Sequence, residues 1–470
     1  MDELPALPAS LGDRAGLVDR IEYIVRELIG SIDVAPPEPR GRGAPAMLPA
    51  VCLWAGMLVC VLRGFSRQLD LWRLVALHGL WDYPIVPVCD EAVYDRLARS
   101  GDAPMTTLFV RITAMLRERL APFGATTLAP FAREVVALDE TTLDAATRHL
   151  PAYRRAQGRA RLPGKLATLF DLRLQQWCRV QLIDDVNERE QLHARDLVAG
   201  LPAKSLILAD LGYFGFAWFD DLTDAGYYWI SRLRAKVSWT VIHTFYDQDG
   251  VSDRLVWLGA YRADGARHAV RLITITRGST TYRYVTNVTT PLVLPLHELP
   301  ALYARRWDVE LAYKLLKREL NLHLLWSGKP AVIHQQIWAT LIIAQILLGL
   351  WVEVAGRAEV DVFDVSLALL VRHAPLLAKA GRDPVAVLVT DGRRAGIIRP
   401  ASRRRYETPP IPPDHLTPAP PDLVLTRPAR HATGQGSIPV TPADTILHAP
   451  PHPPPIDPQR RGRGHRTHTP

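Results

Sequence analysis

The stretch LYARRWDVELAYKLLKREL, residues 302–320, places Tyr303, Arg306, Glu310 and Lys317 at successive intervals of three, four and seven. On a helix turning about 100° per residue, with Tyr303 at zero, Arg306 falls near −60°, Glu310 near −20° and Lys317 near −40°. One narrow face thus carries a phenol, two cations and a carboxylate. On the same projection Asp308 falls at about 140° and Glu319 at about 160°, so Glu310 alone among the nearby acids has basic and aromatic company. A rise of about 1.5 Å per residue sets Lys317 roughly 10 Å beyond Glu310, too far to share one small ligand and well placed for another phosphate of a polyanion. A solvated helix face, with Leu302, Leu311, Leu315 and Leu320 elsewhere, explains the same charges, so residues outside the helix must decide.

Toward the N-terminus, REVVALD, KLATLFDLRL and WCRVQLID read as strands from their alternating or continuous apolar character. A helix over about 188–197 follows, then the short apolar strand KSLILAD, a break at Gly212, and a helix to about 225. This order describes a mixed α/β sheet. Asp139 closes VVALD and Asp210 closes LILAD, each carrying a carboxylate out of a buried strand at the edge where open α/β sheets assemble their sites. One strand-end Asp is usually a turn-former or helix cap; two, followed by a helical Glu, are harder to explain that way. Three convergent carboxylates repel one another unless cations lie between them. All-oxygen ligation suits Mg²⁺ or Mn²⁺, and two such ions could drive an in-line phosphodiester displacement.

Residues 237–288 read as a β-rich insertion, with turn signals at DQDG (247–250) and ADG (263–265). Further helices are expected over about 332–355 and 362–377. Residues 14–130 read as a helical accessory region, in which Pro84 and Pro87 make one connection too long for a compact helix-turn-helix. From about residue 398 the composition shifts: 17 of the 39 prolines lie in 401–470 among arginine clusters, which predicts a disordered, polyanion-attracting tail. The expected organisation is therefore a helical N-terminal domain (1–130), an α/β catalytic domain (131–380, insertion about 237–290) and a tail (398–470).

A net charge of +8 and a pI near 9.4 favour acidic partners such as nucleic acid. The four cysteines show no Cys-x-x-Cys pair, which points to reduced thiols in a cytoplasmic setting. The start MDELPALPASLGDR lacks the basic and apolar regions of a secretory signal. Residues 337–356 approach membrane-spanning length, yet Gln345 and Glu353 interrupt them, so a buried core helix is expected and no membrane.

These motifs resemble those of the DDE transposases of the insertion sequence 4 family, marked by Tyr-x2-Arg-x3-Glu-x6-Lys. Tyr303, Arg306, Glu310 and Lys317 match every position, and ALD (Asp139) and LADLGY (Asp210 to Tyr213) resemble the two aspartate motifs. YYWISRL and YVTNV resemble segments around the family's β insertion, and the similarity covers roughly residues 130–355. The resemblance implies an RNase H-like core on which Asp139, Asp210 and Glu310 are catalytic and bind two Mg²⁺ or Mn²⁺ ions. Tyr303, Arg306 and Lys317 would bind DNA. It also implies cutting at the terminal inverted repeats of an element, transfer of its ends into target DNA, and a homodimer on that double-stranded DNA. In the family an insertion-domain Trp stacks on a flipped base; Trp239 and Trp257 are both candidates here, and a core role suits either.

The basic loop 148–165, with six Lys or Arg and no acid, could touch DNA or be an ordinary surface loop. Glu140, Asp144, Asp171, Asp184, Asp185, Asp220 and Asp221 receive no catalytic role. The rival readings are an RNase H-like nuclease without strand transfer, a catalytically inactive DNA-binding derivative, and a membrane protein.

Overall fold

The computed structural model describes residues 48–427, apart from 49, 81–82, 84, 144–163, 184–187, 260–264, 323, 380–381 and 402–409. The first part of the expected helical region, up to residue 47, nearly all of the basic loop 148–165, and the arginine clusters of the tail lie outside the described residues. Among the described residues, four α-helices come first, α1 (Ala50–Leu62), α2 (Gln68–Arg73, continued by a π turn over Leu74–His78), α3 (Asp90–Ser100) and α4 (Ala103–Leu120). Strands β1 (Val135–Thr142), β2 (Lys165–Asp171) and β3 (Gln176–Ile183) follow, then α5 (Glu190–Val198), β4 (Leu206–Ala209), α6 (Phe216–Asp224) and β5 (Tyr228–Arg232).

The insertion supplies β6 (Trp239–Gln248), β7 (Val251–Leu258), β8 (Val270–Arg277) and β9 (Thr280–Thr286). It does not form a separate sheet: the nine strands run β3-β2-β1-β4-β5-β9-β8-β7-β6 in one mixed sheet, joined where β5 pairs antiparallel with β9. β1, β4 and β5 are mutually parallel neighbours, with Leu138 beside Ala209. The period of two then assigns the faces. Val135 and Ala137 of β1 and Leu206 and Leu208 of β4 enter one core cluster, while Val136, Leu138, Ile207 and Ala209 enter the other, against α5 and α6.

The chain then forms α7 (Leu299–Ala304), a 3₁₀ turn (Arg305–Trp307), α8 (Asp308–Lys314), a π turn (Leu315–Glu319), α9 (Pro330–Arg357), α10 (Leu367–Lys379) and α11 (Pro384–Asp391). α9 is long and apolar enough to cross a membrane by composition, but 94% of its most apolar window is buried inside the protein. Its polar residues have protein partners. Gln345 donates to Thr113 and to the Trp177 carbonyl and accepts from the Trp177 N–H, closing a backbone position at the β3 edge. Glu353 pairs with Arg119 at 2.7 Å and Arg357 at 2.6 Å. α1, α4 and α9 share one apolar cluster with α7 and α8.

The C-terminal segment departs from the disorder expected from residue 398. Residues 410–427 lie along the insertion: the Thr417 N–H donates to the Phe245 carbonyl, Leu425 accepts from the Ala269 N–H, and the Arg427 N–H donates to the Arg267 carbonyl. The prolines limit these residues to one short 3₁₀ turn (Pro413–His415) but leave enough N–H groups and apolar side chains for the rest to dock in extended form.

Candidate active site

β1 and β4 run parallel with Leu138 beside Ala209, so Asp139 and Asp210 follow at the same level of the sheet. Asp210 directly follows the end of β4, but Asp139 does not close its strand as expected, because β1 continues to Thr142 through its pairing with β2. Asp139 follows the alternation of Val135 and Ala137, and Asp210 that of Leu206 and Leu208, so both belong to the face covered by the helix of residues 302–320. Arg306 reaches down from that helix. Its Nη1 donates to Asp139 Oδ2 at 3.0 Å and its Nη2 to Glu310 Oε1 at 3.2 Å, so one guanidinium links the two carboxylates. The other Asp139 oxygen accepts from the Glu140 N–H at 2.9 Å.

Burial pushes the Asp139 carboxyl up to about 7; Arg306 and the Glu140 N–H oppose the rise, and the charges of Glu310 and Asp210 add to it. Burial works against the Arg306 charge as well, but Asp139 and Asp210 outweigh it and raise the guanidinium pKa. Asp139, Asp210 and Glu310 therefore form one electrostatic unit, with Arg306 as its counter-charge. Among the described residues, no three His, Cys, Asp or Glu side chains are gathered closely enough to hold a metal ion. The cation between Asp139 and Glu310 is the guanidinium.

Tyr303 is buried: its hydroxyl donates to the Ala209 carbonyl at 3.3 Å and its ring meets Tyr284 edge-on at 5.4 Å, so it braces the end of β4 beside Asp210. Burial raises its phenol pKa. Lys317 Nζ donates to Thr141 Oγ1 at 2.7 Å, on the same β1 face as Asp139. Asp308, projected away from that group, is buried against Arg305 at 2.6 Å and Gln175 at 3.2 Å.

Sequence reading missed several supporting residues. Tyr313 donates to the Asp139 carbonyl at 3.0 Å and lies 2.5 Å from Thr168 Oγ1; its spacing of three from Glu310 places it on the same helix face and was a usable signal. On the opposite face of β1, Lys165 pairs with Glu140 at 2.6 Å, both nearly buried, and donates to the Glu188 carbonyl. Nothing in the spacing of residues 140, 165 and 188 announces that contact. Glu190, whose pKa is raised by burial and by Glu140, sits so close to Gly212 that a Cβ there would lie 1.7 Å from its Oε2. A side chain at position 212 would therefore have to displace the Glu190 carboxylate. Of the two tryptophans considered for base stacking, Trp257 packs beside Leu423 with Arg427 over its ring at 5.8 Å, and Trp239 has Arg283 over its ring at 5.7 Å.

Residues 130–346, which contain every residue of this site, match the family described as "Transposase DDE domain". That stretch, a little under half of the chain, is thus similar to the DDE transposase domain. The insertion sequence 4 transposase InsG of Escherichia coli (strain K12) is 27% identical over 160 residues, a match spanning 32% of this chain and 35% of that one. That stretch of similarity is thus to a transposase of the insertion sequence 4 type, and it spans about a third of either chain. A solved piggyBac transposase synaptic complex with hairpin DNA aligns over 82% of this chain and 83% of its own at 9% identity, with a TM-score of 0.37.

Proposed function

We propose that this protein is a DNA transposase that cuts at the ends of an insertion sequence and transfers the freed 3′-hydroxyls into target DNA. The observation that carries the reading is the convergence of Asp139 and Asp210, from adjacent parallel strands, on Glu310 through Arg306. On this reading the sheet around β1 and β4 is an RNase H-like core. Asp139, Asp210 and Glu310 are all oxygen donors, and Asp139 is held near neutrality by burial and like charges, which fits a group awaiting a divalent cation. Mg²⁺ or Mn²⁺ held by these three, two ions in all, would activate the attacking hydroxyl and stabilise the leaving oxygen.

The chain's own residues do the rest. Arg306 neutralises Asp139 and Glu310 in the resting site and passes to a DNA phosphate when the carboxylates acquire other cations. Lys317 holds a second phosphate from its position over Thr141. Tyr303 acts on DNA through the end of β4, which it braces next to Asp210. The partner is double-stranded DNA, as terminal inverted repeats and as target, bound by a homodimer in the cytoplasm because two ends must be joined together.

Incubation with DNA carrying the element's terminal repeats, in Mg²⁺ or Mn²⁺, tests the reading against Asp139→Ala, Asp210→Ala and Glu310→Ala. Metal-dependent cutting and joining by the wild type alone is the expected result. Cutting that survives all three changes overturns the site, cutting without joining makes the protein a nuclease, and binding without either reaction makes it an inactive derivative.

A further inference from the structure

The helix of residues 302–320 has a second functional-looking side. Trp307, Lys314 and Arg318, spaced by seven and four, form a stripe beside the one bearing Arg306, Glu310 and Lys317. This stripe lines a groove of about 740 Å³ that also includes Trp351 and Phe363, with Arg399 contributed by a separate segment. Trp307 is 47% exposed, far more than an indole held only for packing. Lys314 Nζ lies 5.5 Å and Arg306 Cζ 5.9 Å from its ring centroid. Because Arg306 also touches Asp139, the groove begins one side chain away from the carboxylates.

Two acids line the groove, and both are committed. Glu319 pairs with Arg372 at 3.3 Å, and Asp364 Oδ1 accepts from the Ala401 N–H at 2.8 Å. Three cations and an exposed indole thus stand around a groove whose floor is largely apolar, with Leu311, Leu315, Val365 and Leu367 among its lining. A positive track interleaved with an aromatic platform is the chemistry that holds a single nucleic-acid strand, because phosphates meet the cations while any base presents a π-face to the ring. The volume falls in the range of small-molecule sites, which accommodates one or two nucleotides and is far too narrow for a duplex.

We propose that this groove binds single-stranded DNA, with one base stacked on Trp307 and the backbone phosphates on Lys314, Arg318 and Arg399. The proposal rests on the reading of the chain as a DNA-processing enzyme and adds a strand-binding site outside the three carboxylates. An acidic peptide would use the three cations but gain nothing from the indole.

The test uses the full-length protein and a labelled oligothymidylate in EDTA, with binding measured by anisotropy across a salt series. Trp307→Ala should weaken binding roughly tenfold, the loss of one stacked base. The triple change Lys314→Ala, Arg318→Ala, Arg399→Ala should lower the slope of log affinity against log salt by about 2. Trp307→Phe, which keeps an aromatic face, should recover most of the lost affinity, a rescue that a structural defect would not show. Wild-type affinity in Trp307→Ala, or an unchanged salt slope in the triple variant, overturns the proposal, as does a polyglutamate peptide that competes equally well against wild type and Trp307→Ala. Terminal-repeat cutting is scored separately: its absence with intact oligonucleotide binding removes the transposase reading alone, and its presence with unaffected variants removes the groove alone.

Discussion

Arg306 Nη1 lies 3.0 Å from Asp139 Oδ2, an ion pair between residues 167 positions apart. Arg306 is 10% and Asp139 16% exposed at the side chain, so neither charge has much water to fall back on. Arg306→Ala leaves two carboxylates facing each other and should cost roughly 2 to 3 kcal/mol in urea unfolding, somewhat less than for a fully buried pair. Arg306→Lys should recover less than half of that, because one ammonium cannot reproduce the forked contact with Asp139 and Glu310. An alanine variant as stable as the wild type would remove this pair from the account of the site.

The same environment sets a pH dependence for the metal-free protein. The Asp139 carboxyl titrates at about 7 in the folded protein against 3.8 ordinarily, so between those values the folded state holds its proton more tightly than the unfolded one. Its contribution to stability is fully present below about pH 4 and is lost as pH rises through about 7. Asp139→Asn never ionises. In EDTA it should therefore gain about 2 to 4 kcal/mol relative to the wild type between pH 4 and pH 8, read from urea midpoints at both values. A difference between the two proteins that stays flat across that range contradicts the assigned environment.

Divalent cations should reverse the penalty. On the proposed function, Mg²⁺ held by Asp139, Asp210 and Glu310 would stabilise only the folded state, by about 2.7 kcal/mol at a hundred times its dissociation constant. Thermal melting at pH 8 should show a Mg²⁺-dependent rise in Tm for the wild type and little or none for Asp139→Asn, Asp210→Asn or Glu310→Gln. Equal rises in all four proteins would place the cation elsewhere.

How much of this was legible depends on distance along the chain. The apolar runs leading to Asp139 and Asp210 announced themselves because burial on both faces leaves near-continuous apolar stretches, as in LILA of β4, whereas the polar continuation of β1 to Thr142 did not. The four-residue helix face was legible although the helix is not regular. The Arg305–Trp307 turn is overwound and the Leu315–Glu319 turn underwound, so their rotational errors oppose each other and Lys317 still reaches the β1 face. Local spacing carries no record of tertiary partners, which is why the link from Arg306 to Asp139 and that from Lys165 to Glu140 were not foreseen. Proline content suggested disorder for a tail whose first described part docks on the insertion, because composition reports the lack of regular structure and not the lack of contacts.

Inside the insertion, Arg271 and Asp253 form a pair with no exposed side-chain surface, doubly bonded at 2.7 and 2.5 Å on the adjacent strands β7 and β8. Removing one partner strands the other charge, so Asp253→Ala and Arg271→Ala should each cost about 3 to 5 kcal/mol. Replacing both, as Asp253→Leu with Arg271→Met, should cost clearly less than either single change. Denaturation of the three variants decides it, and a double variant worse than the sum of the singles would show that the pair's geometry, not its charge balance, shapes the insertion.

The segment 410–427 provides the last test, since it holds the insertion from outside the sheet. Leu423 packs with Phe245, Leu255 and Trp257, and the Arg427 guanidinium donates to the Leu258 carbonyl at 2.9 Å while lying over the Trp257 ring. A chain ending at residue 409 uncovers that cluster and frees the backbone groups of Phe245, Arg267 and Ala269 that the segment satisfies. Local opening of β6 and β7 should then become easier, and limited proteolysis should cut at the DQDG turn (247–250) several-fold faster than in the full chain. Arg427→Ala should give a smaller increase at the same site. If truncation leaves the cleavage rate at that turn unchanged, the segment rests on the insertion without stabilising it.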